Sequence, residues 1–414
     1  MNPLVIAAVW LGLGLVAATV LRRRSARLVA VVPLAGAVLT LFAARSPAPA
    51  VPLGGLAAIT GLDRAGQGAL VAAGVSLALL IALHPSIDVS MARAVGVVGA
   101  AATVAMSSTD SLVTALALTA AVATLVLRWI ALAPGRATLA AGRIAGSGTA
   151  ALVAASPFLP LSGFTTGARP VVVGALFALG VAALLAVYPF GGWAAGILGS
   201  LRPLDVAPWL VVLAPVVLII AERVPNGILG DGIPVFEHVL LVIGLGSAVW
   251  GGVWAVRGPA SMRYGRIFMA DIALCIAAVG GTRSSPAVTG ALIIVLTHLT
   301  VAPILLRPLD AGLVWPRRVA TALLSGVPPS PTFWGRFLLL EALAAGNVGS
   351  TIAAVIAMTA IFVATVMACS MKGTATAAPA WPARVPEAVA WALVAAGIAI
   401  GIAPQALSVF VFGN

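Results

Sequence analysis

Charge is what this sequence lacks most. In 414 residues there are 23 lysines and arginines and 11 aspartates and glutamates, a charged share of 8%. That is too few ionic side chains to cover a water-soluble domain of this length. Lysine is reduced to Lys372 alone, and no polar stretch is long enough to fold as a soluble domain. Cysteine is almost missing too. Cys275 and Cys369 lie in apolar segments and show neither a metal-site spacing nor a disulfide framework. The three histidines, His84, His238 and His298, are scattered, so no metal site is assigned and no cofactor is expected.

What fills the chain instead is hydrocarbon. Hydrophobic residues make up 62% and the mean hydropathy is +1.16, values that belong to a polytopic membrane protein. The 44 glycines fit close helix packing in lipid, where small residues let backbones approach. Apolar runs of spanning length fall near 3–21, 28–44, 67–84, 91–107, 111–132, 138–157, 170–188, 207–221, 236–256, 267–282, 286–306, 319–345, 349–370 and 386–411, which predicts about fourteen spans. Clusters of proline, glycine and charge separate them, as at Arg45-Ser46-Pro47, His84-Pro85, Pro225-Asn226-Gly227 and Pro308-Leu309-Asp310. The first run is followed, not preceded, by Arg22-Arg23-Arg24, so it reads as an uncleaved span.

A net charge of +12 would in a soluble protein suggest nucleic acid, but the arginines here sit in short loops and orient helices. With the N-terminus outside, the inward loops collect most of the basic residues, from Arg22 to Arg384. The outward loops hold only Arg45, Arg64, Arg169, Arg223 and Arg283, and Arg336 lies within a span. The expected setting is a bacterial inner membrane with both termini outside and the lipid bilayer, not nucleic acid, as surroundings.

One segment stands out. Leu324 to Phe337 (LSGVPPSPTFWGRF) puts Pro328, Pro329, Pro331 and the cation of Arg336 inside an otherwise apolar span. Lipid tolerates broken backbone only where protein or a water-filled cavity covers it, and an intramembrane charge marks a path or a partner. The segment resembles the Pro-Pro-x-x-Gly-Phe-x-x-Lys-Phe signature of the antiporter-like subunits of respiratory complex I, which share their fold with Mrp-type sodium/proton antiporters and membrane-bound hydrogenases. Thr332 stands at the family's glycine and Arg336 at its usual lysine. Other pieces follow in family order: Leu62-Asp63; Gly135-Arg136 to Gly146-Ser147-Gly148; Pro189-Phe190-Gly191-Gly192-Trp193, with Gly191 at a histidine position; Arg263 to Asp271; and His298, where the family reads His-x-x-x-Lys.

The resemblance implies an all-α membrane fold of about fourteen helices, with two inverted five-helix repeats and helices 7 and 12 broken, at Pro189 and at Pro328, Pro329 and Pro331. It places helices one to four in residues 1–107, the fourth opening the first repeat. The first antiporter-like repeat takes 91–221, the second 236–370, and a C-terminal helix 386–411. It also exposes departures. The family's titratable groups would fall at Thr119, Leu184 and Ala302, and none of these titrates. Arginine, unlike lysine, stays charged and does not hand on a proton.

The polar candidates are therefore Asp271, His298, Arg336, Glu341 and Arg263. Arg336 is either a cation bridging helix ends or anchoring a neighbouring subunit, or part of a proton path. His298 is either a relay or a satisfied buried donor. Asp271 forms a salt bridge to an arginine or binds an ion. Glu341 is a helix-face carboxylate near the outer surface or a contact to a partner. Arg263 fits the loop-charge pattern, although the family's lysine there borders the ion path. Asp63 and Asp110 are expected to cap helices. The resemblance implies an antiporter-like membrane-arm subunit of a complex I-like, hydrogenase-like or Mrp-like proton-translocating assembly, structural or with a partial proton path, not catalytic alone. The expected partners are the other membrane and redox subunits of that complex. A stand-alone transporter of the same fold is the alternative, and an integral-membrane transferase a more distant one.

Overall fold

The computed structural model describes residues 2–21, 23–43, 51–52, 58–59, 62–84, 87–108, 110–155, 168–223, 232–259, 262–282, 284–307, 313–369 and 384–404. Lys372, Arg22, Arg283, Arg45-Ser46-Pro47, Pro85, Pro225-Asn226-Gly227 and Pro308-Leu309-Asp310 lie outside the described residues.

The chain opens with α1 (Pro3–Val20), a short 3-10 segment (Arg23–Ala30) and α2 (Val31–Leu41). A two-residue antiparallel pair, Val51–Pro52 against Ala58–Ile59, precedes α3 (Arg64–Leu83), α4 (Met91–Ser107), α5 (Ser111–Leu132) and α6 (Arg136–Ala155). The helices α7 (Ala168–Leu184) and α8 (Gly192–Ser200) are two halves of one broken rod. Next comes a single rod made of α9 (Pro203–Ala207), a π-helical turn (Pro208–Leu213) and α10 (Ala214–Arg223). The second half holds α11 (Ile233–Arg257), α12 (Arg263–Thr282), α13 (Ser285–Leu305), the broken pair α14 (Val314–Ala322) and α15 (Pro331–Ala344), then α16 (Val348–Cys369) and α17 (Arg384–Ile402). The expected breaks are both present, each with a cis peptide, Tyr188–Pro189 and Pro328–Pro329.

Among the described residues, eight helices are long and apolar enough to cross a membrane, and the others are shorter. The chain is an all-α integral membrane protein. The expected capping is observed: the Asp63 carboxylate accepts from the Gly66 N–H at 2.7 Å, and Asp110 from Leu112 and Val113 at 2.7 and 3.2 Å. Each satisfies N–H groups that a helix start leaves open. The rod expected near 207–221 begins earlier, at Pro203, because Asp205 lies inside the protein and not in a loop.

Burial sorts the helices by depth. Residues 204–221 of the rod are all buried and α12 is nearly so, whereas α1 and α16 bury under a third of their residues. A central row of α9–α10, α12 and α13 is thus wrapped by the rest, and α13 packs on α15 and α3. Small residues set the close approaches. A methyl group on Gly14 of α1 would meet the Gly96 backbone of α4 at 2.7 Å, and Trp10 lies flat against Gly36 and Gly99.

Candidate functional site at the second helix break

Helix α14 ends at Ala322; the N–H groups of Leu324 and Ser325 close the Thr321 and Ala322 carbonyls at 3.0 Å, and the carbonyls of Leu323, Leu324 and Ser325 are left to be met by side chains. The chain bends through Gly326, whose φ of 76° is open to glycine and costly for other residues, and helix resumes at Pro331. Side chains from α15 reach back to fill the gap. Thr332, fully buried, donates from Oγ1 to the Leu323 carbonyl at 2.7 Å and accepts from the Gly326 N–H at 3.1 Å. The hydroxyl at the family's glycine position thereby serves as a cap.

Arg336 completes the repair. Its Nη2 donates to the Leu324 carbonyl and its Nη1 to that of Ser325, both at 2.9 Å. The negative end of the α14 dipole lies there, so a cation is favoured. The other edge of the guanidinium grips Asp271 of α12: Nε donates to Oδ1 at 3.1 Å and Nη2 to Oδ2 at 3.0 Å. This is the bidentate geometry for which arginine is suited and lysine is not. His298 of α13 adds a third donor, Nε2 to Asp271 Oδ2 at 3.0 Å. Asp271 and His298 are wholly buried and Arg336 is 4% exposed. A carboxylate, a guanidinium and an imidazole thus sit together in apolar protein, each answered by another.

His298 is boxed in on its remaining sides. Phe268 meets its ring edge-on at 5.1 Å between centroids, and the Tyr264 hydroxyl donates to the His298 carbonyl at 3.3 Å. Its Nδ1 has no protein hydrogen-bond partner.

Of the five polar candidates, the structure brings together Asp271, His298 and Arg336. Arg263 is buried elsewhere, donating from Nε to the Ala255 carbonyl at 3.2 Å. Arg266 donates to the Trp254 carbonyl at 2.9 Å and stacks over the Trp254 ring. Both close the C-terminal end of α11, as Arg317 closes that of α13 through the carbonyls of Leu305 and Arg307. Glu341 is exposed on α15, away from the cluster.

Sequence reasoning missed a second ionic cluster, in the first half. Arg128, read as a loop cation, is buried at the end of α5 and donates from Nη2 to Asp205 Oδ1 at 2.8 Å. Arg202 donates from Nε to Asp205 Oδ2 at 2.8 Å, and Arg128 also reaches Asp88 and Ser90. Burial alone would raise the Asp88 carboxyl, but hydrogen bonds from Ser90 and the charge of Arg128 outweigh it and hold Asp88 below its ordinary range. The available signal was an acid three residues after Arg202 and two after a proline, the position of an acid in a first helical turn.

The first break carries no charge at all. The Leu184 carbonyl accepts from the indole N–H of Trp209 at 3.0 Å, and that of Ala183 from the Ala186 N–H at 3.2 Å and the indole N–H of Trp193 at 3.1 Å.

No family model matches the sequence, and no curated protein matches it either. Solved structures do. A chain of respiratory complex I from Thermus thermophilus with bound NADH superposes with a TM-score of 0.83 at 16% identity, covering 99% of this chain and 97% of that one. A chain of the Mrp complex from Dietzia sp. DQ12-45-1b gives 0.82 at 15%, covering 98% of this chain and 51% of that one, so this chain spans about half its length. A chain of the membrane-bound sulfane sulfur reductase, an archaeal respiratory membrane complex, gives 0.81 at 14%, covering 98% and 96%. The chain shares its fold with these chains of three membrane complexes, in line with the fold that the motif resemblance implied.

Proposed function

We propose that the chain is an antiporter-like membrane-arm subunit of a multi-subunit, redox-linked or Mrp-like assembly in a bacterial inner membrane, and that its role there is structural. The fold shared with chains of three such complexes supports the setting. One observation carries the structural role. Arg336 is committed at once to Asp271 and to two carbonyls of the break. A proton path needs groups that gain and lose protons, and a guanidinium held at four points does neither. His298 turns Nε2 to a carboxylate already held by Arg336, and its Nδ1 meets no hydrogen-bonding protein group. Thr119, Leu184 and Ala302, the positions where the resemblance expects titratable side chains, cannot serve as relays.

Affinity purification of the tagged chain in mild detergent tests the setting. Several membrane and redox subunits should co-purify in fixed proportion. A chain that purifies alone, as a monodisperse and fully folded species, would sink the assembly reading and favour a stand-alone transporter.

A further inference from the structure

We infer that the first helix break is a sealed, dry joint, in which Trp129, Trp193 and Trp209 exclude water from the surroundings of Leu184 while their own N–H groups hold the backbone there. This deepens the structural role proposed above and rests on that reading for its meaning: the first half insulates the membrane where it would otherwise be weakest.

The two breaks are built to one plan. A left-handed residue (Ala186, φ 54°; Gly326, φ 76°) stands three residues before a proline (Pro189; Pro329) in both. The position matching Arg336 in the first break is Gly196, where an added methyl group would already meet Ala137 at 3.1 Å. A longer side chain there would have to displace Ala137, and glycine supplies no donor to the carbonyls. The tryptophans reach them instead, from α8 and from the π-helical turn.

Beside Leu184 lies a cavity of about 10 Å³, bounded by the three indoles, Leu125 and Ala145. That is space for about one water, but a buried water needs two to four polar partners to stay. The cavity offers none. Each indole has one N–H and no acceptor, and all three are spent on carbonyls: Trp193 on Ala183 at 3.1 Å, Trp209 on Leu184 at 3.0 Å and Trp129 on Asp205 at 3.0 Å. The rings also close on one another, Trp193 lying 4.9 Å from Trp209 and 6.0 Å from Trp129 between centroids, and all three are at most 2% exposed. At the second break the matching carbonyls, Leu323 and Leu324, are met by a hydroxyl and a guanidinium, both polar groups. At the first they are met by the donors that bring the most hydrocarbon with them. With neither water nor a titratable side chain at Leu184, a proton has no place to rest.

Cysteine accessibility tests this in membranes holding the full assembly. Leu184→Cys is placed in a chain carrying Cys275→Ala and Cys369→Ala and exposed to a small membrane-impermeant thiol reagent from each side. Ala345→Cys, at an exposed position, is the positive control. Modification is read on the purified chain by mass spectrometry. Leu184→Cys should stay at background, and adding Trp193→Ala or Trp209→Ala should bring its rate within about tenfold of the control. Adding Trp193→Phe instead keeps the ring and removes only the donor. It should give a rate at or just above background, because the Ala183 carbonyl keeps the Ala186 N–H and loses only its second donor. Labelling of Leu184→Cys with all three tryptophans in place would overturn the inference. So would silence after either alanine change in a chain present at normal level. The partner subunits co-purified in the same preparations report separately: their loss beside a silent Leu184→Cys would break the assembly reading and leave the seal standing.

Discussion

Four hydrogen bonds leave three nitrogens of Arg336, two to a carboxylate and two to backbone carbonyls. The bond pattern decides what substitution does. An ammonium is a point donor, so Arg336→Lys cannot span Asp271 and the carbonyls of Leu324 and Ser325 together. It should give an intermediate loss of assembly yield and thermal stability. Arg336→Ala leaves a wholly buried Asp271 with His298 alone and should cost about 3–5 kcal/mol, the penalty for breaking one partner of a buried pair. Melting of the purified assembly for both variants checks the order; equal stability of Arg336→Ala and wild type would contradict it. The pairing of Asp271 with an arginine was legible in the sequence, because a buried acid needs a cation. Which arginine was not. Arg266 lies five residues away on the same helix, but it stacks on Trp254, and the true partner comes from α15. Arg128 and Asp205 were missed for the same reason: both sit at helix ends, where spacing along the chain says nothing of who faces whom.

At the scale of elements, a helix that stops inside a membrane must find donors for its last carbonyls. At four described helix ends an arginine or a tryptophan supplies them, joined at α14 by the Thr332 hydroxyl: Arg263 and Arg266 at the end of α11, Arg317 at α13, Arg336 at α14, Trp193 and Trp209 at α7. The prolines made both breaks readable from sequence, whereas the indole caps carry no motif and became visible only in three dimensions. The bends themselves give a paired prediction. Ala186 holds a φ of 54°, where a side chain costs roughly 1 kcal/mol, so Ala186→Gly should raise thermal stability by about that much. Gly326→Ala should do the reverse and more, since its methyl group would meet Arg336 Nη1 at 2.5 Å as well as the unfavourable φ. Both are read as shifts in melting temperature of the purified assembly. A rise for Gly326→Ala would mean that the bend is not held as described.

For the whole molecule, the two halves have divided their labour. One break is closed by hydrocarbon and the other by a buried ionic clamp, and neither offers a chain of proton carriers through protein groups. Proteoliposomes holding this chain alone should therefore show no sodium- or potassium-driven pH change beyond the leak of empty vesicles; a saturable cation-dependent signal would contradict that. Composition and motif order made the fold legible almost throughout, because period, length and proline placement are local properties of a sequence. Inverted symmetry between 91–221 and 236–370 stays a proposal. The matching left-handed residues and prolines of the two breaks support it, and superposition of the two segments in an experimental structure tests it.

The most direct test of a structural role is proton pumping by the intact assembly carrying His298→Ala. Imidazole is the one side chain in the cluster suited to carry a proton near neutral pH, and in the geometry seen here it only supports Asp271. The expected result is pumping per complex equal to that of wild type, with any loss confined to assembly yield. Normal yield with abolished pumping would show that a proton passes through His298 and that the cluster is a path, not a clamp.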